Sequence, residues 1–137
     1  MNYDNLTIVD YEEADLLEIL SIENESFPSP WTAGLFQGET KNPISRILVG
    51  RTTGERGKSV AGYVVFWNVA DETHLHHIAV RKDLRKRGIA SRMVSSMIHD
   101  CINQGSRFIT LEVRRSNLSA QKLYENFGFS VRGVRPG

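Results

Sequence analysis

The sequence lacks most features that would place it outside the ordinary globular proteins. Its 137 residues include one cysteine, Cys101, so an internal disulfide is excluded, as is usual in a reducing cytoplasm. No apolar run approaches the ~20 residues that span a bilayer. Residues 1–4 have neither the basic start nor the apolar stretch of a secretory signal. We therefore expect a cytoplasmic protein.

The chain also lacks an excess of charge of either sign. The 17 basic and 16 acidic residues give a formal net charge of +1, so no global field draws the chain to nucleic acid or membrane. Hydrophobic residues make up 40% and charged residues 24% of the chain, which is typical of a globular protein. The length suits one domain over residues 1–137, and any anion site must come from local clustering.

Hydrophobic periodicity and turn residues predict alternating strands and helices. In the first helix, Leu16, Ile19, Leu20 and either Ile22 or Glu23 recur at helical spacing. The predicted strands are residues 6–10, 46–52, 59–69, 74–80, 108–113 and 129–134, and the predicted helices are residues 12–25, 32–41, 90–104 and 117–127. The order is β-α-α-β-β-β-α-β-α-β.

These elements predict an α/β fold with a mixed central sheet and helices on its faces. The early strands are joined by short turns and should pair antiparallel. A full helix separates strand 74–80 from strand 108–113, so these two should run parallel through a right-handed crossover. The second of them is a dense β-favouring run, as expected for a strand buried on both faces.

A basic glycine turn, residues 85–90, links a strand directly to a strongly amphipathic helix. A helix start offers unpaired amides and partial positive charge to a phosphate, and Gly88 lets the backbone approach closely. Arg85, Lys86 and Arg87 add full charge, and Ala90 keeps its position small. A solvated basic turn that merely starts a helix is the alternative. Walker and dinucleotide-binding glycine motifs are absent from the sequence.

Two polar residues stand out downstream of this turn. Glu112 ends an apolar strand, so it should face a cleft or form a salt bridge with Arg114 or Arg115. Tyr124 lies on the inner stripe of the last helix, seven residues after Asn117. It is either a reactive hydroxyl or a packed aromatic tied to the backbone.

Metal and thiol chemistry are not favoured. Alternation along strand 74–80 places His74 and His76 on one face and His77 on the other, so the three should not converge on a metal. Cys101 falls on the apolar stripe of its helix and is predicted to be buried and unreactive.

Taken together, these motifs resemble the GNAT acyltransferase superfamily, and within it the bacterial ribosomal-protein-alanine N-acetyltransferases. The matching stretches are His77-Ile78-Ala79-Val80, Arg85-Lys86-Arg87-Gly88-Ile89-Ala90-Ser91, Leu111-Glu112-Val113-Arg114, Ser116-Asn117 and Ala120 through Phe129. Upstream, Glu25-Ser26-Phe27 and Pro30-Trp31 are similar to that subgroup. The order and spacing of these motifs are far more specific than any one alone.

The resemblance implies a GNAT fold, acetyl-CoA as donor, no metal, and direct attack by a protein N-terminal α-amine in a ternary complex. It makes Glu112 the proton acceptor and Tyr124 the proton donor. Arg85 joins the implied cofactor contacts through its charge. The predicted cofactor-binding residues are Ile78, Ala79, Val80, Arg85, Lys86, Arg87, Gly88, Ile89, Ala90, Ser91 and Asn117.

The resemblance also implies a further tyrosine-containing turn and final strand beyond residues 132–137. The sequence ends at Gly137, so either it stops short of the family's last strand or its acceptor site is built differently. We expect a single domain over residues 1–137, as a monomer or weak dimer. Three alternatives stay open: a GNAT enzyme for lysine or small amines, a CoA-binding module without turnover, and an RNA-binding module that uses Arg81, Lys82 and the glycine turn. The last lacks aromatics among its basic residues.

Overall fold

The computed structural model describes residues 5–54, 57–111, 113–114 and 134–135. The elements in chain order are β1 (Leu6–Asp10), α1 (Leu16–Ser26), α2 (Ala33–Lys41), β2 (Ser45–Gly54), β3 (Gly57–Val69), β4 (Glu72–Val80), α3 (Ile89–Asn103), β5 (Phe108–Leu111), β6 (Val113–Arg114) and β7 (Val134–Arg135). Short 3₁₀ turns cover Glu13–Asp15 and Lys82–Leu84. The predicted last helix lies outside the described residues.

Five strands form one mixed sheet in the order β1-β2-β3-β4-β5. The first three pairings are antiparallel, and β4 pairs parallel with β5. This confirms the predicted α/β class and the parallel crossover through α3. β6 and β7 pair parallel in a separate two-stranded sheet. In the described part of the chain, no helix is long and apolar enough to cross a membrane.

The described residues of the strand predicted over 108–113 are divided between two sheets. β5 ends at Leu111, and β6 begins at Val113 in the second sheet. Burial on both faces is also wrong for Phe108, which is 56% exposed. The reason is its register, because Phe108 lies opposite Glu72, the first residue of β4, and therefore at the rim of the sheet.

Helices cover both faces of the sheet. On one face, α3 packs its predicted stripe of Met93, Val94, Met97 and Cys101 against a core that includes Val64. On the other face, α1 and α2 pack against the alternate residues of the same strands. Ile19, Ile22, Phe36, Val49, Tyr63 and Val65 belong to that second core. The period-2 alternation of β3 therefore supplies both cores.

A β-bulge interrupts the pairing of β3 with β4. Phe66 lies opposite Leu75, but Val65 lies opposite His77, so β4 has one extra residue, His76. An extra residue reverses the faces of every side chain beyond it. His77 therefore points to the α1/α2 face, where strict alternation would have turned it toward α3.

Candidate active site

The two parallel strands part at the middle of β4. The described β4–β5 pairs run from Glu72 with Phe108 to Leu75 with Leu111. β4 then continues to Val80, whereas Val113 already belongs to the second sheet. One edge of the segment from Ile78 to Val80 pairs with β3, and among the described residues no strand pairs with its other edge. We call the space along that edge the gap.

Close packing of β3 against β4 holds this segment in place. Gly62 lies opposite Val80, and a Cβ added at Gly62 would come within 2.6 Å of the Ala79 carbonyl oxygen. Only glycine allows the two backbones to approach so closely at this point. The predicted pantetheine-binding residues Ile78, Ala79 and Val80 are therefore held firmly from the β3 side.

The glycine turn leads from this segment into α3. Leu84 is buried and anchors the turn, while Lys86 and Gly88 adopt positive φ angles of 64° and 80°. Gly88 is the N-cap of α3, and no side chain caps it. Arg92 N–H donates to Gly88 O at 3.1 Å, so the amides of residues 89–91 precede the first bond within the helix. These three amides therefore have no partner within the helix and are suited to binding an anion.

The basic side chains of the turn have different surroundings. Lys86 and Arg87 are exposed beside the helix start. Arg85 donates from Nε to Val80 O at 3.0 Å and from Nη2 to Ser26 Oγ at 2.9 Å. Arg85 thus joins the end of β4 to the end of α1, in addition to any contact with a cofactor.

A buried carboxylate lies on the opposite side of this segment. Glu23, on α1, has no exposed surface. It accepts bonds from Trp31 N–H at 2.8 Å, from Tyr63 Oη–H, and from His77 Nε2 at 2.8 Å. We call these four residues the Glu23 network. They connect α1, β3, β4 and the α1–α2 loop, residues 27–32.

Electrostatics within the Glu23 network favour the ionised carboxylate. Burial raises the pKa of Glu23, but the bonds from His77, Tyr63 and Trp31 N–H, with the charge of His77, outweigh it and lower the net value below 4.5. Burial and the Glu23 carboxylate raise the pKa of Tyr63, so its phenol stays protonated and donates.

Two aromatic rings of the α1–α2 loop enclose His77. Its ring centroid is 4.2 Å from that of Phe27 and 4.5 Å from that of Trp31, and it stacks on Trp31 at 12°. His74 and His76 lie on the same face, because Trp67, which pairs with His74, is 4.2 Å from His76. The prediction that His77 faces away from them is wrong, since the bulge reverses it.

Although His74 and His77 lie on the same face, they bind different partners. His77 binds Glu23, and His74 Nδ1 lies 2.8 Å from Thr110 Oγ1. No group of three or more metal-ligating side chains is found among the residues that the structure describes. Cys101 is fully buried, and burial raises the pKa of its thiol, so the thiol form is favoured over the thiolate.

The predicted reactive residues lie outside the described residues. These are Glu112, Asn117 and Tyr124. The flanking positions are informative, because Leu111 closes the paired part of β5 and Val113 opens β6. Position 112 lies in the sequence between these two described strands. The roles of Glu112 as proton acceptor and Tyr124 as proton donor stay predictions.

Sequence reasoning missed the Glu23 network. One signal for it was present, because Glu23 follows Ile19 by four residues and so falls on the buried stripe of α1. A carboxylate at such a position needs a buried partner. The bulge that brings His77 to Glu23 has no comparable signal in the sequence.

The gap beside β4 and the glycine turn before α3 define a class of acyl-transferring enzyme. The profile of the Acetyltransferase (GNAT) family matches residues 16–129. The chain belongs to this family and is an acetyltransferase.

The relatives point to one branch of that family. The [ribosomal protein bS18]-alanine N-acetyltransferase of Escherichia coli (strain K12) is 32% identical over 129 residues, which cover 94% of this chain and 84% of the relative. A relative from Bacillus subtilis (strain 168) that carries the same name provisionally is 34% identical over 122 residues, 88% of this chain and 78% of the relative.

Solved structures agree with the fold. The crystal structure of the ribosomal-protein-S18-alanine N-acetyltransferase from Escherichia coli has a TM-score of 0.82 at 28% identity, over 91% of this chain and 77% of that chain. Ard1 from Thermoplasma volcanium has a TM-score of 0.84 at 23% identity, over 94% and 85%, and supports the fold alone. The GNAT fold predicted from the sequence is confirmed.

Proposed function

We propose that this enzyme transfers acetyl from acetyl-CoA to the N-terminal α-amine of a cytoplasmic protein, and that the N-terminal alanine of a ribosomal protein is its acceptor. The observation that carries the proposal is the parting of β4 from β5 directly upstream of the glycine turn. The names of the relatives at 32–34% identity support the choice of acceptor.

The donor site follows from main-chain chemistry. The amides of residues 89–91 and the exposed side chains of Lys86 and Arg87 suit the pyrophosphate of CoA. The edge of Ile78, Ala79 and Val80 that faces away from β3 would bind the pantetheine arm through main-chain groups. GNAT enzymes use acetyl-CoA, so the same segment would place the thioester beside the sheet.

The chemistry requires a proton acceptor and a proton donor on the enzyme. Glu112 accepts a proton from the acceptor ammonium, because only the neutral amine attacks a carbonyl. The amine nitrogen then forms a bond to the thioester carbon and releases its second proton to solvent, and the C–S bond breaks as the tetrahedral intermediate collapses. Tyr124 donates a proton to the departing thiolate, so CoA leaves as the thiol. Alignment of the two substrates in one complex supplies most of the acceleration.

Intact-mass measurement tests the acceptor. A peptide with an N-terminal alanine should gain one acetyl group, and the same peptide with a blocked N-terminus and a free lysine should gain none. Acetylation of the blocked peptide, or of polyamines alone, would replace the proposal by a lysine or small-amine enzyme. Binding of acetyl-CoA without transfer to any amine would indicate a module without turnover.

Substitutions test the two proton-transfer roles in the same assay. Glu112→Gln should lower kcat by about 10²–10⁴-fold, the range usual for loss of a general acid or base. Tyr124→Phe should lower kcat within that range as well. Both variants should still bind CoA in calorimetry. Full activity of either variant would remove the role assigned to that residue.

A further inference from the structure

The α1/α2 face of β4 lies across the sheet from α3, whose start is the proposed donor site, and it carries the Glu23 network, which the chemistry above does not use. We take this face as the side from which the acceptor approaches. We propose that His77 is a positioning residue that fixes the α1–α2 loop against β4 and so sets binding of the acceptor amine rather than of acetyl-CoA. This inference rests on the proposed function, since it concerns the acceptor of that same reaction.

The β-bulge in β4 determines which face of the sheet His77 occupies. Because His76 is an extra residue, His77 reaches the α1/α2 face one position before Ile78, where the gap-facing segment of β4 begins. The side chain of His77 is only 15% exposed. A largely buried polar ring thus lies directly beside the segment of β4 that would carry the thioester.

The ring then binds the loop in two ways. Phe27 and Trp31 hold its faces at centroid distances of 4.2 and 4.5 Å. Glu23 Oε2 binds its Nε2 at 2.8 Å and also accepts from Trp31 N–H at 2.8 Å. Both ends of the α1–α2 loop therefore depend on the position of one imidazole.

The hydrogen bonds of the ring support this dependence. His77 Nε2 lies 2.8 Å from the buried Glu23 carboxylate, and Nδ1 lies 3.2 Å from the carbonyl oxygen of His76. An N–H at Nε2 donates to the carboxylate. Replacement of His77 by a side chain without a donor would leave the buried carboxylate short of one partner and would remove the ring that holds the loop.

The end of α1 is joined to the donor side by other bonds. Ser26 accepts from Arg85 of the glycine turn at 2.9 Å, and Glu25 accepts from Lys82 N–H at 2.8 Å. These bonds do not involve His77. Loss of His77 should therefore disturb the α1–α2 loop and leave the donor side held.

Steady-state kinetics with two variants test the role. His77→Gln keeps a neutral donor for Glu23, whereas His77→Phe keeps a ring without a donor. The KM for an alanine-first peptide should rise about tenfold in His77→Phe and less in His77→Gln, the size expected for loss of one hydrogen bond to a charged group. The KM for acetyl-CoA should stay within about twofold of wild type.

His99→Gln is the matched control, because His99 is exposed on α3, on the other face of the sheet. It should leave both KM values unchanged. An unchanged peptide KM in both His77 variants, or an equal rise for peptide and acetyl-CoA, would overturn the inference. A wild-type enzyme that acetylates no peptide N-terminus would instead overturn the proposed function, so the two failures are distinct.

A measurement on the unmodified enzyme covers the case in which a His77 variant does not fold. NMR resonances of the His77 ring should show the ring-current shifts of two flanking aromatics. Added alanine-first peptide should move them, and added CoA should leave them nearly in place. Movement with CoA and none with peptide would contradict the assignment of His77 to the acceptor side.

Discussion

The two faces of the central sheet are stabilised in different ways. On the α3 face, Met93, Val94 and Met97 are fully buried in a core of apolar side chains. On the α1/α2 face, an equally buried apolar core surrounds the charged Glu23. Apolar packing is non-directional, whereas the Glu23 network fixes particular distances and angles. The face with directional contacts is the one on which we place the acceptor.

The largest expected effect comes from removing the centre of the network. Glu23→Leu conserves approximate volume but leaves Tyr63 Oη–H, Trp31 N–H and the His77 ring without an acceptor. Breaking a buried charge pair from one side costs about 3–5 kcal/mol, so the urea midpoint should fall strongly. Asn24→Leu, the exposed neighbour on α1, should change stability by less than about 0.5 kcal/mol. Equal midpoints for the two variants would refute the network.

The α3 face should respond to the loss of volume alone. Met97→Ala removes a fully buried side chain and should destabilise the protein by about 2–5 kcal/mol. Below its unfolding transition, this variant should keep the wild-type KM values for both substrates, because α3 packing does not touch the α1–α2 loop. A selective rise in the peptide KM of Met97→Ala would erase the distinction between the faces.

Lowering the pH should weaken the α1/α2 face, which contains Glu23, more than the α3 face. The folded-state pKa of Glu23 is lowered from 4.5, so its carboxylate contributes stability above that value. The contribution is lost as the pH falls through the lowered pKa. Urea midpoints measured between about pH 6 and pH 3 should therefore fall more steeply in Met97→Ala, which retains Glu23, than in Glu23→Gln. Parallel curves would contradict the assignment.

The smallest effect concerns the end of the α1–α2 loop. Thr32 caps α2, and its Oγ1 accepts from Leu35 N–H at 3.3 Å. Thr32→Ala should cost about 0.5–2 kcal/mol by thermal unfolding. Thr32→Ser retains the cap and should restore most of that loss. A wild-type melting curve for Thr32→Ala would mean that the loop does not depend on this cap.

The elements up to β5 follow from periodicity and turn residues, because each needs only local sequence. The amphipathic stripe of α3 and the parallel β4–β5 crossover were both predicted in this way and are confirmed. The GNAT family likewise follows from the order of its motifs.

What local sequence could not give are the features that depend on register. His77 was assigned to the wrong face because one inserted residue in β4 reverses alternation, and nothing in its side-chain pattern marks the insertion. The break between Leu111 and Val113 depends on which strand each half pairs with. Arg85 was assigned to a phosphate from its charge alone, without its bonds to Val80 and Ser26.

A crystal structure with CoA joined through sulfur to the amine of an alanine-first peptide tests the central claim most directly. Pyrophosphate oxygens should bind the amides of residues 89–91, and the pantetheine arm should lie along Ile78–Val80. The peptide should lie on the α1/α2 face beside Trp31. A peptide on the α3 face, or a pyrophosphate away from the start of α3, would contradict it.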